Sequence, residues 1–218
     1  MPVSRHVLLA GATGLVGREC LAQLAADPSV SGITALVRRP PDAATIHHRK
    51  LRFERVDFDR LGLHGAQLTA DQVICALGTT IRRAGTREAF RRVDFDYPLA
   101  LAKLARQRGA RHFLLVSALG ASSRSRVFYS RVKGELEEAI GALGYPAFTI
   151  VRPSLLLGDR GEFRLGEELG KRLAWLTPAA WKPVQARDVA AALVAAARED
   201  RPGRRVIEST EIGRGGRR

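Results

Sequence analysis

Tyr129 and Lys133 have the types and the spacing to exchange a proton with a substrate oxygen. They stand four positions apart in the segment YSRVKGELE at 129–137, which on a helix places them on one face. A free tyrosine hydroxyl, with a pKa of about 10, is a weak acid at neutral pH. A neighbouring ammonium favours the phenolate and brings that proton into working range. Proton exchange alone changes no oxidation state, so the pair calls for a carrier of electrons elsewhere in the chain.

The N-terminal segment offers a place for one. Gly11-Ala12-Thr13-Gly14-Leu15-Val16-Gly17 follows the strand-length apolar run Val7 to Ala10 and opens an amphipathic segment, Leu15 to Ala26, with an apolar stripe of Leu15, Val16, Cys20, Leu21 and Leu24. A glycine motif between a strand and a helix is the context for cradling a pyrophosphate. Gly11 allows the tight turn, Gly14 lets backbone N–H groups approach the anion, and Gly17 lets the helix lie close on the sheet. The helix N-terminus then favours negative charge. The spacing is GxxGxxG, and all seven residues are expected to line the pyrophosphate of a dinucleotide. A nicotinamide dinucleotide carries a hydride, the complement of the proton on Tyr129.

The end of the second apolar run, Ile33 to Val37, selects the cofactor. An NAD-binding chain usually places an Asp or Glu there, as acceptor for the ribose hydroxyls. This chain reads Val37-Arg38-Arg39-Pro40. A guanidinium matches a 2′-phosphate and cannot accept from a hydroxyl, so Arg38 and Arg39 predict NADP(H).

These residues need a frame. Strand-length runs at 33–37, 51–56, 72–77, 112–117 and 147–152 follow the first and alternate with helical patterns at 15–26, 88–108, 127–143, 162–175 and 187–198, with a last short strand at 204–207. The alternation predicts an α/β doubly wound parallel sheet, the Rossmann fold, with helices on both faces and a small C-terminal substrate lobe. Ligands in such sheets sit at the carboxyl ends of the strands. Residues 1–212 read as one domain, with the lobe at about 158–183 holding Trp175 and Trp181. The basic tail 213–218 is expected to be loose.

Composition narrows the classes. Hydrophobic residues make up 45% of the chain, enough for a packed core and against disorder. The net charge of +14 comes from 36 basic residues, of which only five are Lys. They are scattered, which disfavours nucleic acid as the partner, although the positive field would draw in a phosphate-rich cofactor. The longest apolar stretch, Val189 to Ala197, is about half the length of a membrane span, and no targeting signal is visible. The expectation is a soluble cytoplasmic protein with no membrane contact. Cys20 and Cys75 fall inside a predicted helix and a predicted strand and read as buried thiols. No cluster has metal-ligand spacing, and His47-His48 reads as a solvated loop pair.

Six segments together resemble the short-chain dehydrogenase/reductase superfamily, in its atypical branch that includes the Tat-interacting-protein-like NADPH oxidoreductases: GATGLVG at 11–17, ALVRRP at 35–40, VICALGTT at 73–80, FRRVDFDYPLALAKLA at 90–105, HFLLVSALGAS at 112–122 with YSRVKGELE at 129–137, and VRPSLLLGDR at 151–160. The resemblance runs from about Val7 to about Ala197. It implies that Tyr129 and Lys133 also contact the cofactor, Lys133 at the nicotinamide ribose. It also implies a serine after the fifth strand to orient the substrate oxygen, with Ser117 first and Ser122 and Ser123 as rivals. Asp57 is then placed for the adenine amino group, Leu77, Gly78 and Thr79 for the adenosine ribose, and Arg152, Pro153 and Ser154 for the nicotinamide side. A homodimer through the two long helices is a further implication. Many relatives carry an Asn where this chain reads Val93-Asp94, so Asp94 stays outside the expected catalytic set.

About 65 residues follow Arg152, too few for the large C-terminal lobe of the nucleotide-sugar branch. Two functions remain. The first is an NADPH-binding oxidoreductase acting on a small carbonyl or alcohol. The second is an NADPH-binding regulatory or sensor protein with vestigial catalysis that acts through a protein partner, since Trp residues in the lobe would suit an interface.

Overall fold

The computed structural model describes residues 4–40, 48–157 and 182–213. Its first strand sets the architecture. In β1 (Arg5–Ala10), Val7 and Leu9 face one layer and Leu8 and Ala10 the other, all four fully buried. A strand apolar on both faces must be covered twice. On one side lie α1 (Leu15–Ala26) and α6 (Ala186–Glu199), bringing Val16, Cys20, Leu24, Val189 and Leu193. On the other lie α4 (Tyr97–Gln107) and α5 (Phe128–Gly141), bringing Leu101, Ala105, Leu136 and Ile140.

The remaining strands of the main sheet are β2 (Val30–Val37), β3 (Leu51–Arg55), β4 (Gln72–Cys75), β5 (His112–Val116), β6 (Ala147–Arg152) and β9 (Gly203–Glu208). Their order is β3-β2-β1-β4-β5-β6-β9, parallel throughout. The doubly wound Rossmann sheet expected from the alternation is therefore present. The order reverses between β1 and β4, which opens the crevice for a ligand at their carboxyl ends. A small pair, β7 (Leu156–Leu157) with β8 (Val184–Gln185), lies beside it. Among the described residues no helix is long and apolar enough to cross a membrane.

The sequence reading of one long helix at 88–108 needs revision. The chain runs as α3 (Arg87–Arg91), a π-helical turn at Arg92–Asp96, and α4. Pro98 lies in the first turn of α4 and has no N–H to give the carbonyl four residues back. The widened turn absorbs that defect, and such turns recur at functional sites. Two short elements escaped periodicity because local caps make them. Thr80 accepts from the Arg83 N–H to start α2 (Ile81–Ala84), and Asp57 accepts from the Asp59 N–H to start a 3-10 stretch, Phe58–Leu68. The predicted helix at 162–175, both tryptophans, all but two residues of the 158–183 lobe, and tail residues 214–218 lie outside the described residues.

At the amino ends of the strands Asp27 stops α1 and gathers Arg5 at 2.7 Å and Arg198 at 3.0 Å. Burial pushes its carboxyl up, but hydrogen bonds from Ser29 and Arg198 and the Arg5 charge outweigh that and hold it at about 2. This knot pins β1, α1 and α6 together at the end opposite the crevice.

Both cysteines are buried, as expected. Burial lifts Cys20 to about 12, with Glu19 adding to it, and Cys75 to about 11. The reactive species is the thiolate. The native protein at pH 8 should therefore leave both thiols unlabelled by a disulfide reagent over minutes, while the denatured chain should release two equivalents. Labelling of either thiol in the native state would contradict this packing.

Candidate active site

The glycine loop is built backbone against backbone. Gly11 has φ +86°, and a Cβ there would lie 2.4 Å from the Ala76 carbonyl oxygen. A Cβ on Gly17 would lie 2.0 Å from the Gly11 oxygen. No side chain fits either position, so the turn out of β1, the start of α1 and the exit of β4 are locked at closest approach. Gly14 caps α1 without a side-chain hydrogen bond, and the first turn carries no acid. The free N–H groups at a helix start thus meet no protein carboxylate from that turn. A cradle closed to side chains and open to an anion fits a pyrophosphate.

The exit of β4 leads from this loop to the Tyr-Lys pair. Leu77 and Gly78 follow Ala76, and the Thr79 N–H donates to Asp94 Oδ2 at 2.8 Å. Asp94 Oδ1 stands 2.7 Å from Lys133 Nζ, with side-chain exposures of 1% and 4%. Gly78 leaves room for the pair: a Cβ there would touch Asp94 Oδ1 at 3.4 Å and Lys133 Nζ at 3.8 Å. Burial pushes the Lys133 ammonium down, but attraction to Asp94 and Tyr129 and the hydrogen bond to Asp94 outweigh it, so its pKa lies above the usual lysine value. Lys133 is a held cation. Tyr129, one turn earlier on α5, is half-buried and packs its ring on Phe90 at 5.5 Å.

At the other end of the crevice, Arg38 helps line a cavity of about 460 Å³ with Arg55, Asp57, Phe58, His64 and Tyr97. Arg55 is paired in register with Val37, the residue before Arg38, so two guanidiniums border the cavity. His64 Nε2 accepts from the Asp57 N–H at 3.2 Å, and the Tyr97 hydroxyl donates to Asp59 at 2.9 Å. Arg39 is exposed and does not line the cavity.

Ser117 follows β5, as expected, and its side chain is turned to a protein partner. It is 4% exposed, and its hydroxyl donates to Glu137 Oε1 at 2.5 Å. Arg152 donates to the same carboxylate through Nε at 3.0 Å and a terminal nitrogen at 2.6 Å, and to Glu208 at 2.9 Å. A buried carboxylate needs such partners, and this knot ties β5, β6, β9 and α5. The Ser117 hydroxyl is thus committed to Glu137, and the Arg152 side chain to two glutamates. Of the rivals, Ser122 is exposed and its Oγ accepts from the Arg124 N–H at 3.3 Å, while the Ser123 hydroxyl donates to Glu138. Pro153 accepts from the Leu119 N–H, and the Ser154 hydroxyl donates to the Lys182 carbonyl.

Sequence reasoning left out Asp94, Arg55, His64 and Tyr97. Asp94 carried a usable signal, an acid set between the apolar Val93 and Phe95, where burial demands a cationic partner.

Residues 11–200 match the family model described as NAD(P)H-binding. The chain belongs to that family. Protein HTATIP2 of Rattus norvegicus is 35% identical over 179 residues, covering 82% of this chain and 74% of that protein. Protein FMP52, mitochondrial, of Candida albicans is 34% identical over 187 residues, covering 82% of each. The resemblance drawn from the six segments stands on these relatives. Among solved structures, MoeE5 in complex with UDP-glucose and NAD superposes with a TM-score of 0.72 at 18% identity, covering 93% of this chain and 75% of that one. A Thermotoga maritima UDP-glucose 4-epimerase with UDP-glucose gives 0.70 at 14% identity, covering 93% and 76%. At those identities the family's Rossmann fold is what the likeness shows. One expectation falls. The name of the Candida relative, like those of several further FMP52 proteins, contains "mitochondrial", which overturns the cytoplasmic reading. That reading rested on the lack of an apolar leader, whereas mitochondrial targeting uses Arg-rich amphipathic segments with no apolar core.

Proposed function

We propose that this member of the NAD(P)H-binding family is an NADPH-dependent oxidoreductase that interconverts a small carbonyl compound and its alcohol. The observation that carries the reading is the buried Asp94–Lys133 pair, 2.7 Å apart and one helical turn from Tyr129, joined to the glycine loop through the exit of β4. A nicotinamide cofactor held by the glycine loop would supply the hydride chemistry at the carbonyl carbon. Tyr129 donates its hydroxyl proton to the carbonyl oxygen, completing the alcohol. Lys133, held charged by Asp94, stabilises the phenolate left behind, and Tyr129 regains its proton from solvent. With the Ser117 hydroxyl proton given to Glu137, Tyr129 is the group that carries the proton step.

The preference for NADPH rests on Arg38, with Arg55 beside it. Arg38→Ala should weaken NADPH binding by about 1.5–3 kcal/mol, the worth of a charge-assisted hydrogen bond, and leave NADH nearly unchanged. Calorimetric titration of both cofactors checks this, and equal losses would remove the role given to Arg38.

The enzyme reading is tested by following NADPH oxidation across a panel of aldehydes and ketones. Turnover of one or more supports it. Tight NADPH binding with no turnover of any replaces it with the binding protein that acts through a partner.

A further inference from the structure

The rim around Tyr129 carries a charge that the reductase chemistry does not use. Phe128, the residue before Tyr129, has the Arg87 guanidinium 5.2 Å and the Arg131 guanidinium 5.9 Å from its ring centre. Phe90 contacts both the Phe128 ring, at 5.7 Å, and the Tyr129 ring, at 5.5 Å. The basic end of α3 and the proton donor on α5 are therefore one packed unit. Segments 81–91 and 122–135 hold seven arginines against two glutamates, and Lys133 is paired with Asp94.

Those glutamates do little for Arg87. Glu135 is taken by Arg91 at 2.5 Å and approached by Arg131 at 4.0 Å. Glu88 is held by its own N–H and the Thr86 hydroxyl, with Arg87 the weakest influence on it. Other arginines of the chain are closely paired, as at Asp27, Glu137 and Glu199. At the rim, Arg82, Arg83, Arg87, Arg124 and Arg126 are exposed and form no ion pair among the described residues. Apolar surface adjoins them: Ile81 is 42% and Val127 62% exposed. A guanidinium resting on an aromatic face keeps its donor fork for a planar anion.

We propose that this rim selects carbonyl substrates with an apolar body and an anionic head, a carboxylate or a phosphate, and that Arg87 anchors the head beside Tyr129. The proposal rests on the reductase reading for the word substrate, and its test separates the two. NADPH oxidation is measured with para-carboxybenzaldehyde, para-formylphenyl phosphate and neutral para-tolualdehyde. The anionic aldehydes should show kcat/KM about tenfold or more above the neutral one, as a charge-assisted contact provides. That advantage should shrink with added salt and vanish in Arg87→Gln. Arg205→Gln, whose arginine pairs with Glu199 on the far edge of the sheet, should keep it. The better of the two anions identifies the head group. Equal kcat/KM for neutral and anionic aldehydes, or an advantage that survives in Arg87→Gln, overturns the proposal. If no aldehyde turns over, benzoate and benzamide are titrated into the NADPH-loaded protein. Benzoate binding that needs Arg87 upholds the anion site while the reductase reading falls. Benzoate binding no better than benzamide overturns the anion site as well.

Discussion

Tyr129→Phe should lower kcat by about 10²–10⁴-fold, the usual worth of a positioned general acid, while NADPH binds as before. The substitution removes one oxygen. The ring's contact with Phe90 at 5.5 Å survives, and no hydrogen bond of the fold depends on the hydroxyl among the described residues. The loss should therefore lie in kcat rather than in stability or cofactor affinity. A thermal melt and an NADPH titration beside the rate measurement separate these effects. A variant that turns over as fast as the parent would remove Tyr129 from the chemistry. A variant that loses NADPH affinity as much as rate would make the tyrosine a binding residue.

Lys133→Met should destabilise the fold by about 3–5 kcal/mol at neutral pH, the cost of leaving one buried charge without its partner. Asp94 keeps only the Thr79 N–H in that variant, in a site where its side chain is 1% exposed. The double variant Lys133→Met/Asp94→Leu should recover most of the loss, because an apolar pair replaces an ionic one at little cost. The pH dependence follows from the sign of the lysine shift. Its pKa is raised by Asp94 despite burial, so the pair stabilises the folded chain throughout the neutral range. On the basic side it loses that contribution as pH rises beyond the ordinary lysine value toward the folded one. Chemical denaturation of the parent and both variants measures this. A single variant as stable as the parent would show that the pair bears no such load.

The parts of the site that were legible in the sequence are those whose logic is local. The glycine loop announces itself because Gly11 and Gly17 serve a strand, a turn and a helix that follow one another directly, from Arg5 to Ala26. Tyr129 and Lys133 share a helix face by spacing alone, and Arg38 stands where a strand ends. The alternation of apolar runs gave the sheet for the same reason. What stayed hidden depends on partners far apart in the chain. Asp94 meets Lys133 across 39 positions, and Arg55 reaches the cavity of Arg38 only because β3 lies beside β2. Ser117 looked free at a strand end, but it is taken by Glu137 from the next helix, a residue with the exposure of a core leucine. Nothing local said that the helical run expected at 88–108 would widen into a π turn at Arg92–Asp96 ahead of Pro98.

The account is tested most directly by tracing the transferred hydrogen. The protein is incubated with NADPH deuterated at the nicotinamide C4 position and with carbonyl compounds, anionic aldehydes among them, and the products are read by mass spectrometry. Deuterium on the carbinol carbon of a product, from one face of the nicotinamide and formed about 10²–10⁴-fold more slowly with Tyr129→Phe, is the predicted result. Deuterium that stays in the bound cofactor across the whole panel would contradict it.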